Sequence, residues 1–280
     1  MKKLTDDDLL RYQRHGYFDE HLATLYSLAY GEPYIYKDTY LLYHDPLSKT
    51  LWLTLFELNS NEDKLECVQD SLDEFKPSKL ITTSPEKLPL NIGSYSCGRV
   101  FFDKDYQINL HKFDEYLRGS SYKSLRYRVN NAKKLGYTLA QGKGITTAHS
   151  HLINLHMMKR NYNAWDYLLY LKINEYVKKF SSPRLFNVFL KDILIGFDVI
   201  DVLNNTMTAP LGFYLDYPSL ADFATYNEVM YAKTRGFEWL DIGWACNSGL
   251  EEFKKKWMAI PRFNIWVQEY QKVDQSMDKP

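Results

Sequence analysis

Residues 206–263 decide the fold, and they read TMTAPLGFYLDYPSLADFATYNEVMYAKTRGFEWLDIGWACNSGLEEFKKKWMAIPRF. β-Branched and aromatic residues predict a strand at 206–215, and a Pro-Ser pair then precedes a predicted helix at 220–235. A glycine ends that helix, a short strand follows at 237–243, and a lysine-rich helix begins near Gly249. This order, with short turns, predicts an αβ unit in which strand ends and helix ends border one crevice.

The residues before this stretch predict the rest of a sheet and a second αβ module. Strands are expected at 185–192 and 193–201, joined by a tight turn. The elements expected in residues 1–110 are a helix that starts at Thr5, a helix at 18–30, strands at 39–46 and 49–58, and a helix at 61–75. We therefore expect an α/β (α+β) protein with two domains, 1–118 and 119–280. Each would hold a mixed, mostly antiparallel sheet flanked by helices.

Length and composition fit a globular protein. The chain has 280 residues, of which 45% are hydrophobic and 16% aromatic, enough for a substantial core. The cysteines Cys67, Cys97 and Cys246 form no CxxC pair, which favours a reducing compartment. The first residues lack the apolar run of a signal peptide, and no apolar run is long enough to span a membrane. We therefore expect a cytoplasmic protein.

Charge is uneven along a chain whose net charge is zero. Residues 1–120 carry 14 basic and 20 acidic side chains, whereas residues 121–280 carry 21 and 15. A predicted helix within 121–137 contains five Lys or Arg side chains and no acid. Two interpretations stay open: this helix presents a solvated face, or it docks phosphates through residues such as Arg126 and Lys133.

The turn that follows the 206–215 strand is a candidate binding place for an anionic donor. Pro218 ends the strand, and Ser219 is expected to cap the helix that begins at Leu220. Backbone N–H groups at a helix start attract anions, so Ser219 and Leu220 are candidate donor-binding residues. Tyr214 and Asp216 flank the expected crevice and are candidate substrate-binding residues.

The second strand and the last helix supply the candidate catalytic residues. Lys254 follows a candidate core residue, and its ammonium group would suit a phosphate or a developing oxyanion. Asp241 lies between two apolar residues, where partial burial would raise its pKa and suit a general base. A plain hydrogen-bonding role for Asp241 in a neighbouring turn stays open. Trp244 and Asn247 are further candidate substrate-binding residues.

Several common catalytic and metal motifs are missing from the sequence. It has no GxxxxGK[ST] phosphate loop, no nucleophile elbow and no HExxH motif, and Gly142-Lys143-Gly144 is a lone GxG. The histidines at 149, 151 and 156 do not share one helical face, so we expect no metal site. Cys246 follows a predicted strand end, where a nucleophile and an unreactive thiol are both open interpretations.

Three phrases of the sequence carry a family likeness: LIGF at 194–197, YAKTRGF at 231–237 with LDIG at 240–243, and GLEEFK at 249–254. In them the chain resembles the GNAT acyltransferase superfamily. It resembles most closely the branch that holds the Fem peptidoglycan aminoacyltransferases and the cytosolic domain of phosphatidylglycerol lysyltransferases. The basic helix also looks like the element that opens the second domain in that branch. The likeness covers about residues 120–265 and implies two GNAT-like domains in tandem, the first of them degenerate.

The resemblance implies direct transfer of an acyl or aminoacyl group to an amine or hydroxyl, with no metal and no tightly bound cofactor. In the Fem branch the lysine of the FK phrase lies in the active site, and Lys254 stands at that position. The implied donor is aminoacyl-tRNA or an acyl-CoA such as acetyl-CoA, and lipid headgroups and peptidoglycan precursors are among the implied acceptors.

One departure bears on the donor. Members that use acetyl-CoA carry [QR]xxGx[GA] at the start of the crossover helix, whereas residues 216–221 read DYPSLA. The missing glycines favour aminoacyl-tRNA. Two alternatives stay open: an acetyl-CoA-dependent N-acetyltransferase, and a non-catalytic module that binds a polyanion through residues 123–134. The sequence does not define an oligomeric state.

Overall fold

The computed structural model describes residues 1–59, 62–159 and 164–273, with only the backbone of residues 164–166. Contacts divide the chain into two compact units. The first unit comprises Met1–Gly16, Glu20–Lys104 and Phe263–Pro280, and the second comprises Tyr17–Asp19 and Asp105–Arg262. The division into domains at 1–118 and 119–280 stays a prediction, because a contact division does not establish which segments fold alone.

The first unit is built on a mostly antiparallel sheet with three helices. Its elements are β1 (Lys2–Lys3), α1 (Asp6–Gln13), α2 (Ala23–Tyr30), β2 (Glu32–Tyr36), β3 (Tyr40–Asp45), β4 (Thr50–Thr54), α3 (Lys64–Phe75), β5 (Lys79–Ser84), β6 (Asn91–Ile92), the start of β7 (Tyr95–Asn109) and, from Phe263 onward, the last strand of the chain, β13 (Ile260–Lys272). In order across the sheet, β1 to β5 and then β13 are neighbours, and among the described residues of this unit only the β4–β5 pair is parallel.

Local chemistry explains where these helices begin. Thr5 and Asp8 form a reciprocal capping box at the start of α1, and the side chain of Asp63 accepts two backbone N–H bonds at the start of α3. The helix expected at 18–30 is interrupted: a single 3₁₀ turn at Asp19–His21 precedes α2. The apolar face of α3 packs Val68 and Leu72 into the core of the first unit.

The second unit is also a mixed sheet flanked by helices. It contains the end of β7, then α4 (Lys123–Lys134), β8 (Tyr137–Gly142), α5 (Thr147–Lys159), α6 (Ala164–Lys179), β9 (Arg184–Leu190), β10 (Ile193–Leu203), β11 (Thr206–Tyr214), α7 (Leu220–Thr234), β12 (Trp239–Trp244), α8 (Ser248–Lys256) and the start of β13 (Ile260–Lys272). The strand order is β7-β12-β11-β10-β9-β8, and in the part of this unit that the structure describes only the β11–β12 pair is parallel.

One face of this second sheet packs against α7. Val229 and Ala232 of α7 are buried in a core that includes Met207, Leu240 and Trp257. Burying these side chains is the main favourable term that holds the crossover helix on the sheet, at about 25 cal/mol for each Å² of apolar surface removed from water. This packing fixes the two ends of the parallel pair that α7 connects.

The parallel strand pairs of the two units differ in the length over which the strands are hydrogen-bonded to each other. In the first unit, β4 pairs with β5 along its whole length, from Thr50–Lys79 to Thr54–Thr83. In the second unit, β11 and β12 pair only from Thr206–Trp239 to Thr208–Asp241. Both strands continue beyond this last pair, so the sheet of the second unit opens there.

Within the described residues, no helix is both long enough and apolar enough to cross a lipid bilayer.

Candidate functional site

Irregularities in the strands cause the opening between β11 and β12. The register of β10 against β11 shifts between Val199 and Asp201, and the register of β12 against β7 shifts between Asp241 and Trp244. Gly243 lies inside the second irregularity with a φ of 71°, in the left-handed region that favours glycine. Bulges bend strands and turn backbone groups out of the ladder. They therefore place unpaired carbonyl groups of β12 beside the opening.

The side chain of Lys254 forms hydrogen bonds with those carbonyl groups. Its side chain comes from the last turn of α8, and only 4% of the residue is exposed. Its Nζ donates hydrogen bonds to the carbonyl oxygens of Ile242 and of Gly243, the latter at 3.0 Å. A lysine is rarely buried to this degree unless it is paired. The ammonium group is therefore held at the point where the parallel strands part.

The other two lysines of the Lys-Lys-Lys run have different partners. Lys255 is exposed and pairs with Glu251 at 2.7 Å, one helical turn away. Lys256 pairs with Asp222 at 2.5 Å. The three ammonium groups therefore have separate partners, and of the three lysines Lys254 is the buried one.

Three buried carboxyl groups lie around the opening. Asp241 Oδ2 accepts the backbone N–H of Asp19 at 2.9 Å, and its Oδ1 accepts the N–H of Gly243 at 2.7 Å. Thr208 Oγ1 donates to the carboxylate of Asp19 and lies 3.3 Å from Asp241 Oδ2. Asp19, Asp105 and Asp241 each bring one oxygen within 4.8 Å of the others. All three belong to the second unit.

Each charged side chain in this group shifts the pKa of the others. Burial raises the pKa of Asp241 well above its ordinary value, and the nearby Asp105 raises it further. Burial and the charge of Asp241 do the same to the pKa of Asp19. Burial lowers the pKa of Lys254, while the three carboxyl groups oppose that shift by favouring the charged ammonium. Lys254 is therefore the counter-charge of the acidic group.

The same geometry bears on metal binding. Three carboxylate oxygens within 4.8 Å of one another are the donor type that hard cations prefer. The ammonium group of Lys254 already supplies positive charge to all three carboxyls. One ammonium group compensates one of the three negative charges, so the absence of a metal site stays a prediction.

The turn before α7 differs from its expected form. Ser219 does occupy the cap position of α7, but its side chain makes no capping hydrogen bond, so the expected cap was wrong. The reason is its backbone, which is left-handed with a φ of 60°, whereas a capping serine is normally extended. Leu220 is buried in the core beside Phe223. The backbone N–H of Leu220 donates to the carbonyl oxygen of Tyr217 at 3.3 Å, and donor binding by Ser219 and Leu220 stays a prediction.

The two candidate residues of the basic helix are already engaged. The guanidinium group of Arg126 donates to the carbonyl oxygens of Leu117 and Gly119. Lys133 is exposed, with its ammonium 4.9 Å from the centre of the Tyr226 ring. Arg126 fixes the loop before α4, which leaves Lys133 as the more accessible of the two.

The four candidate substrate-binding residues differ in exposure and in hydrogen-bond partners. Tyr214 is half-buried and donates to Asp198, while Asp216 is exposed. Trp244 ends β12 and is half-buried. Asn247 caps α8 by accepting the N–H of Leu250 at 3.0 Å. A substrate contact for each of these residues stays a prediction, and Asn247 has a structural role in addition.

Asp19 and Asp105 were not expected from the sequence. Asp19 lies 222 positions before Asp241, in a turn that was expected to be helical, and Asp105 lies inside a long strand. One available signal was the pattern at 103–107, DKDYQ, which puts charged and polar side chains in a strand next to apolar ones. Such inward polar residues often mark functional sites.

Comparisons with solved structures agree with this architecture. The C-terminal DUF2156 domain of a protein assigned as lysylphosphatidylglycerol synthetase from Agrobacterium fabrum has a TM-score of 0.63 and 14% identity, covering 96% of this chain and 92% of that one. FemX has a TM-score of 0.57 and 12% identity, covering 99% and 98%. A tandem GNAT protein of the clavulanic acid biosynthesis pathway has a TM-score of 0.53 and 11% identity, covering 85% and 80%.

The chain has the fold of this GNAT branch. No protein-family model matches the sequence, and no curated protein matches it. At these identities the likeness shows the fold, and it confirms the expected class of helices flanking mixed sheets. In this GNAT-like fold, β11, α7 and β12 form the strand, crossover helix and strand that border the opening.

Proposed function

We propose that this protein transfers an acyl or aminoacyl group from an activated donor to an amine or hydroxyl acceptor. The single observation that carries the proposal is the buried ammonium group of Lys254 at the point where β11 and β12 separate. A positive group fixed in a water-poor site stabilises negative charge that develops in a transition state. Acyl transfer develops such charge on the donor carbonyl oxygen.

The contacts of Lys254 suit this role. An ammonium group has three N–H donors, and two are directed to the carbonyls of Ile242 and Gly243. The third would meet the donor's carbonyl oxygen. The two backbone bonds fix the direction of the ammonium before the donor arrives, so little reorganisation is needed. The charges of Asp19, Asp105 and Asp241 favour the protonated form that this role requires.

Asp241 is the proposed base. Burial and the nearby Asp105 raise its pKa, and a carboxylate with a raised pKa is a stronger base. Asp19 accepts a hydrogen bond from Thr208 and donates its backbone N–H to Asp241, and so holds the Asp241 carboxyl in place. In this proposal the acceptor's nitrogen or oxygen bonds to the donor's carbonyl carbon, and the bond from that carbon to the tRNA ribose oxygen or the CoA sulfur breaks. Asp241 accepts the proton that the acceptor loses and gives it to the departing oxygen or sulfur, while Lys254 stays protonated throughout.

The donor is proposed to be an aminoacyl-tRNA or an acyl-CoA. Aminoacyl-tRNA is proposed because two structural neighbours are named as lysylphosphatidylglycerol synthetase and FemX. Acyl-CoA is proposed because the fold is also that of a tandem GNAT protein. Residues 216–221 lack the glycines of the acetyl-CoA motif, which favours aminoacyl-tRNA as the donor. The exposed cations of α4, Lys123 and Lys134 with Lys133, would attract the polyanionic part of a tRNA.

The acceptor is proposed only as a class. An amine or hydroxyl on a lipid headgroup or a peptidoglycan precursor would fit a transferase of this fold. A cytoplasmic location, where charged tRNA and CoA thioesters occur, remains part of the proposal. Tyr214, Asp216 and Trp244 are the proposed acceptor-side residues because they follow the last paired residues of β11 and β12.

The test begins with the full chain as purified. Mass spectrometry would identify bound tRNA or CoA, and transfer would then be assayed with aminoacyl-tRNA and with acetyl-CoA as separate donors. We expect Lys254→Ala to lower transfer on the order of a hundredfold, as for loss of one oxyanion-type donor. Lys255→Ala, which removes a neighbouring exposed ammonium, should keep wild-type transfer.

Both variants must be assayed at a pH where unfolding curves show that they are folded. Equal transfer by Lys254→Ala and Lys255→Ala would remove Lys254 from the mechanism. Turnover with acetyl-CoA and not with aminoacyl-tRNA would identify an acetyltransferase. Polyanion binding that survives Lys254→Ala, with no turnover for either donor, would identify a non-catalytic binding module.

A further inference from the structure

Gly243 is hydrogen-bonded to both proposed catalytic side chains through its own backbone. Its N–H donates to Asp241 Oδ1 at 2.7 Å, and its carbonyl oxygen accepts a hydrogen bond from Lys254 Nζ at 3.0 Å. The carbonyl oxygen of the preceding residue, Ile242, accepts a second hydrogen bond from the same ammonium group. One residue without a side chain therefore lies between the proposed base and the proposed positive group.

The left-handed backbone of Gly243 allows two successive carbonyls to reach Lys254. Along an extended strand, successive carbonyl groups point to opposite edges, so those of Ile242 and Gly243 would face away from each other. The torsion angles of Gly243 set the angle between these two carbonyls, and its φ of 71° is far from the extended value. Both carbonyls consequently accept from one ammonium group.

A side chain at position 243 would disturb this arrangement in two ways. A φ of 71° lies in the left-handed region, where an L residue is strained. A Cβ built on Gly243 would also lie 3.0 Å from Asp19 Oδ2, closer than ordinary van der Waals contact. Asp19 donates its backbone N–H to Asp241 Oδ2 at 2.9 Å, so a displacement of Asp19 would also move the proposed base.

Gly236 offers a matched comparison in the same unit. It follows the last turn of α7 with a φ of 80°, and its N–H donates to the carbonyl oxygen of Lys233, as is usual at a helix end. Apart from its chain neighbours, no described atom lies within 4 Å of a Cβ built there. The two glycines therefore share a positive φ and differ in what surrounds them.

We propose that Gly243 is a positioning residue, whose backbone holds Lys254 and Asp241 in a fixed arrangement. This role rests on the proposed function, because it belongs to the same reaction. Gly243 touches neither donor nor acceptor, and no bond to it forms or breaks. Its carbonyl and that of Ile242 direct the ammonium group, while its N–H directs the carboxyl group. Displacing a catalytic group by about 1 Å can lower a rate on the order of a hundredfold, so this arrangement should govern kcat.

Nitrogen-15 NMR of the full chain, labelled at lysine, tests this role without any substrate. A buried ammonium group held by two carbonyls should give an Nζ–H signal that exchanges slowly with water, and Lys254→Met assigns the signal by removing it. We expect Gly243→Ala to shift this signal or to abolish it through faster exchange. Gly236→Ala, which adds the same methyl group at a positive φ, should leave the signal as in the wild type.

Transfer is then measured for the same variants with aminoacyl-tRNA and with acetyl-CoA as separate donors. We expect Gly243→Ala to lower kcat about tenfold or more and to keep KM for the donor within about twofold, because the groups that bind the donor are unchanged. Gly236→Ala should keep both values within about twofold. Either an unchanged Lys254 signal or a wild-type kcat in Gly243→Ala overturns the proposal, and so does an equal effect of Gly236→Ala.

Failure of the proposed function has a different outcome. If the wild type transfers nothing from either donor, the transferase assignment fails, and the NMR comparison alone decides whether Gly243 positions Lys254. If Gly243→Ala does not fold, two wild-type signals decide: the amide of Gly243, bonded to Asp241, and the ammonium of Lys254. Protection of both from hydrogen exchange supports the proposal. Exchange of either one as fast as in an unfolded chain overturns it.

Discussion

Replacing Lys254 by methionine tests the role of its charge in holding the acidic group together. Methionine keeps most of the apolar stem and removes the ammonium that faces Asp19, Asp105 and Asp241. Removing one partner of a buried ion pair costs about 3–5 kcal/mol, because the remaining charges stay buried without compensation. We expect Lys254→Met to lose about this much free energy of unfolding at pH 8.

The loss should depend on pH in a defined direction. Without the ammonium, the pKa values of Asp19 and Asp241 in the folded state rise beyond their already raised values. A carboxyl with a raised folded pKa stabilises the fold below its unfolded pKa, and this contribution disappears as the pH increases. Lys254→Met should therefore recover most of its stability near pH 5, where the carboxyls become protonated.

Urea unfolding followed by circular dichroism at pH 5 and pH 8 measures both effects. Lys255→Met is the control, because Lys255 is exposed and its pair with Glu251 is a surface contact. We expect that variant to remain within about 0.5 kcal/mol of the wild type at both pH values. The reasoning is refuted if Lys254→Met unfolds within about 1 kcal/mol of the wild type at pH 8.

Three further changes have outcomes set by local contacts. Asp222→Ala should cost about 3 kcal/mol in urea unfolding, because it leaves Lys256 and the indole N–H of Trp257 without their buried acceptor. Gly31→Ala should cost about 3 kcal/mol or more, since a Cβ there would lie 2.4 Å from a carbonyl oxygen at a φ of 116°. In native protein at pH 8, iodoacetamide should modify exposed Cys246 and spare Cys67, whose pKa burial raises to about 12, as peptide mass spectrometry would show.

Each of these outcomes has a comparison within the chain. Asp216→Ala, at an exposed aspartate, should change stability by less than about 0.5 kcal/mol. Gly119→Ala should cost only about 1 kcal/mol, because its φ is also positive but nothing lies within 4 Å of the added Cβ. If Asp216→Ala lost as much stability as Asp222→Ala, or Gly119→Ala as much as Gly31→Ala, the reasoning from local contacts would be contradicted. If iodoacetamide modified Cys67 as fast as Cys246, the protection of Cys67 by burial would be contradicted.

The sequence predicted the arrangement near the C-terminal helix because the signals there are local. The crossover helix, its glycine stop and the following strand were read from neighbouring residues, and α7 and β12 lie where they were expected. The raised pKa of Asp241 was also predicted, since apolar neighbours in sequence imply burial in a strand. Lys254 was chosen because it follows the core candidate Phe253, and its burial was not predicted. These agreements concern single elements and the residues next to them.

The rest depends on contacts between distant residues, which periodicity does not contain. Asp19 reaches Asp241 across 222 positions, and no pattern around Asp19 indicates a partner. Arg126 looked like a free cation on a basic helix, but its guanidinium is used by carbonyls of a preceding loop. Ser219 has the right residue type for a cap, yet its left-handed backbone turns the side chain away from that bond. In each case tertiary structure overrides a sound local preference.

Mutational tolerance should differ between the two parallel strand pairs. β4 and β5 are hydrogen-bonded along their whole length, whereas β11 and β12 separate after Thr208 and Asp241. Where the strands stay joined, a residue matters only through its contribution to packing, so the tolerance of the first unit should follow burial alone. Where they part, polar positions such as Thr208 should resist substitution more strongly than burial explains. A saturation library can be scored once for protein abundance and once for a growth phenotype. The two sets of tolerated substitutions should agree in the first unit and differ in the second.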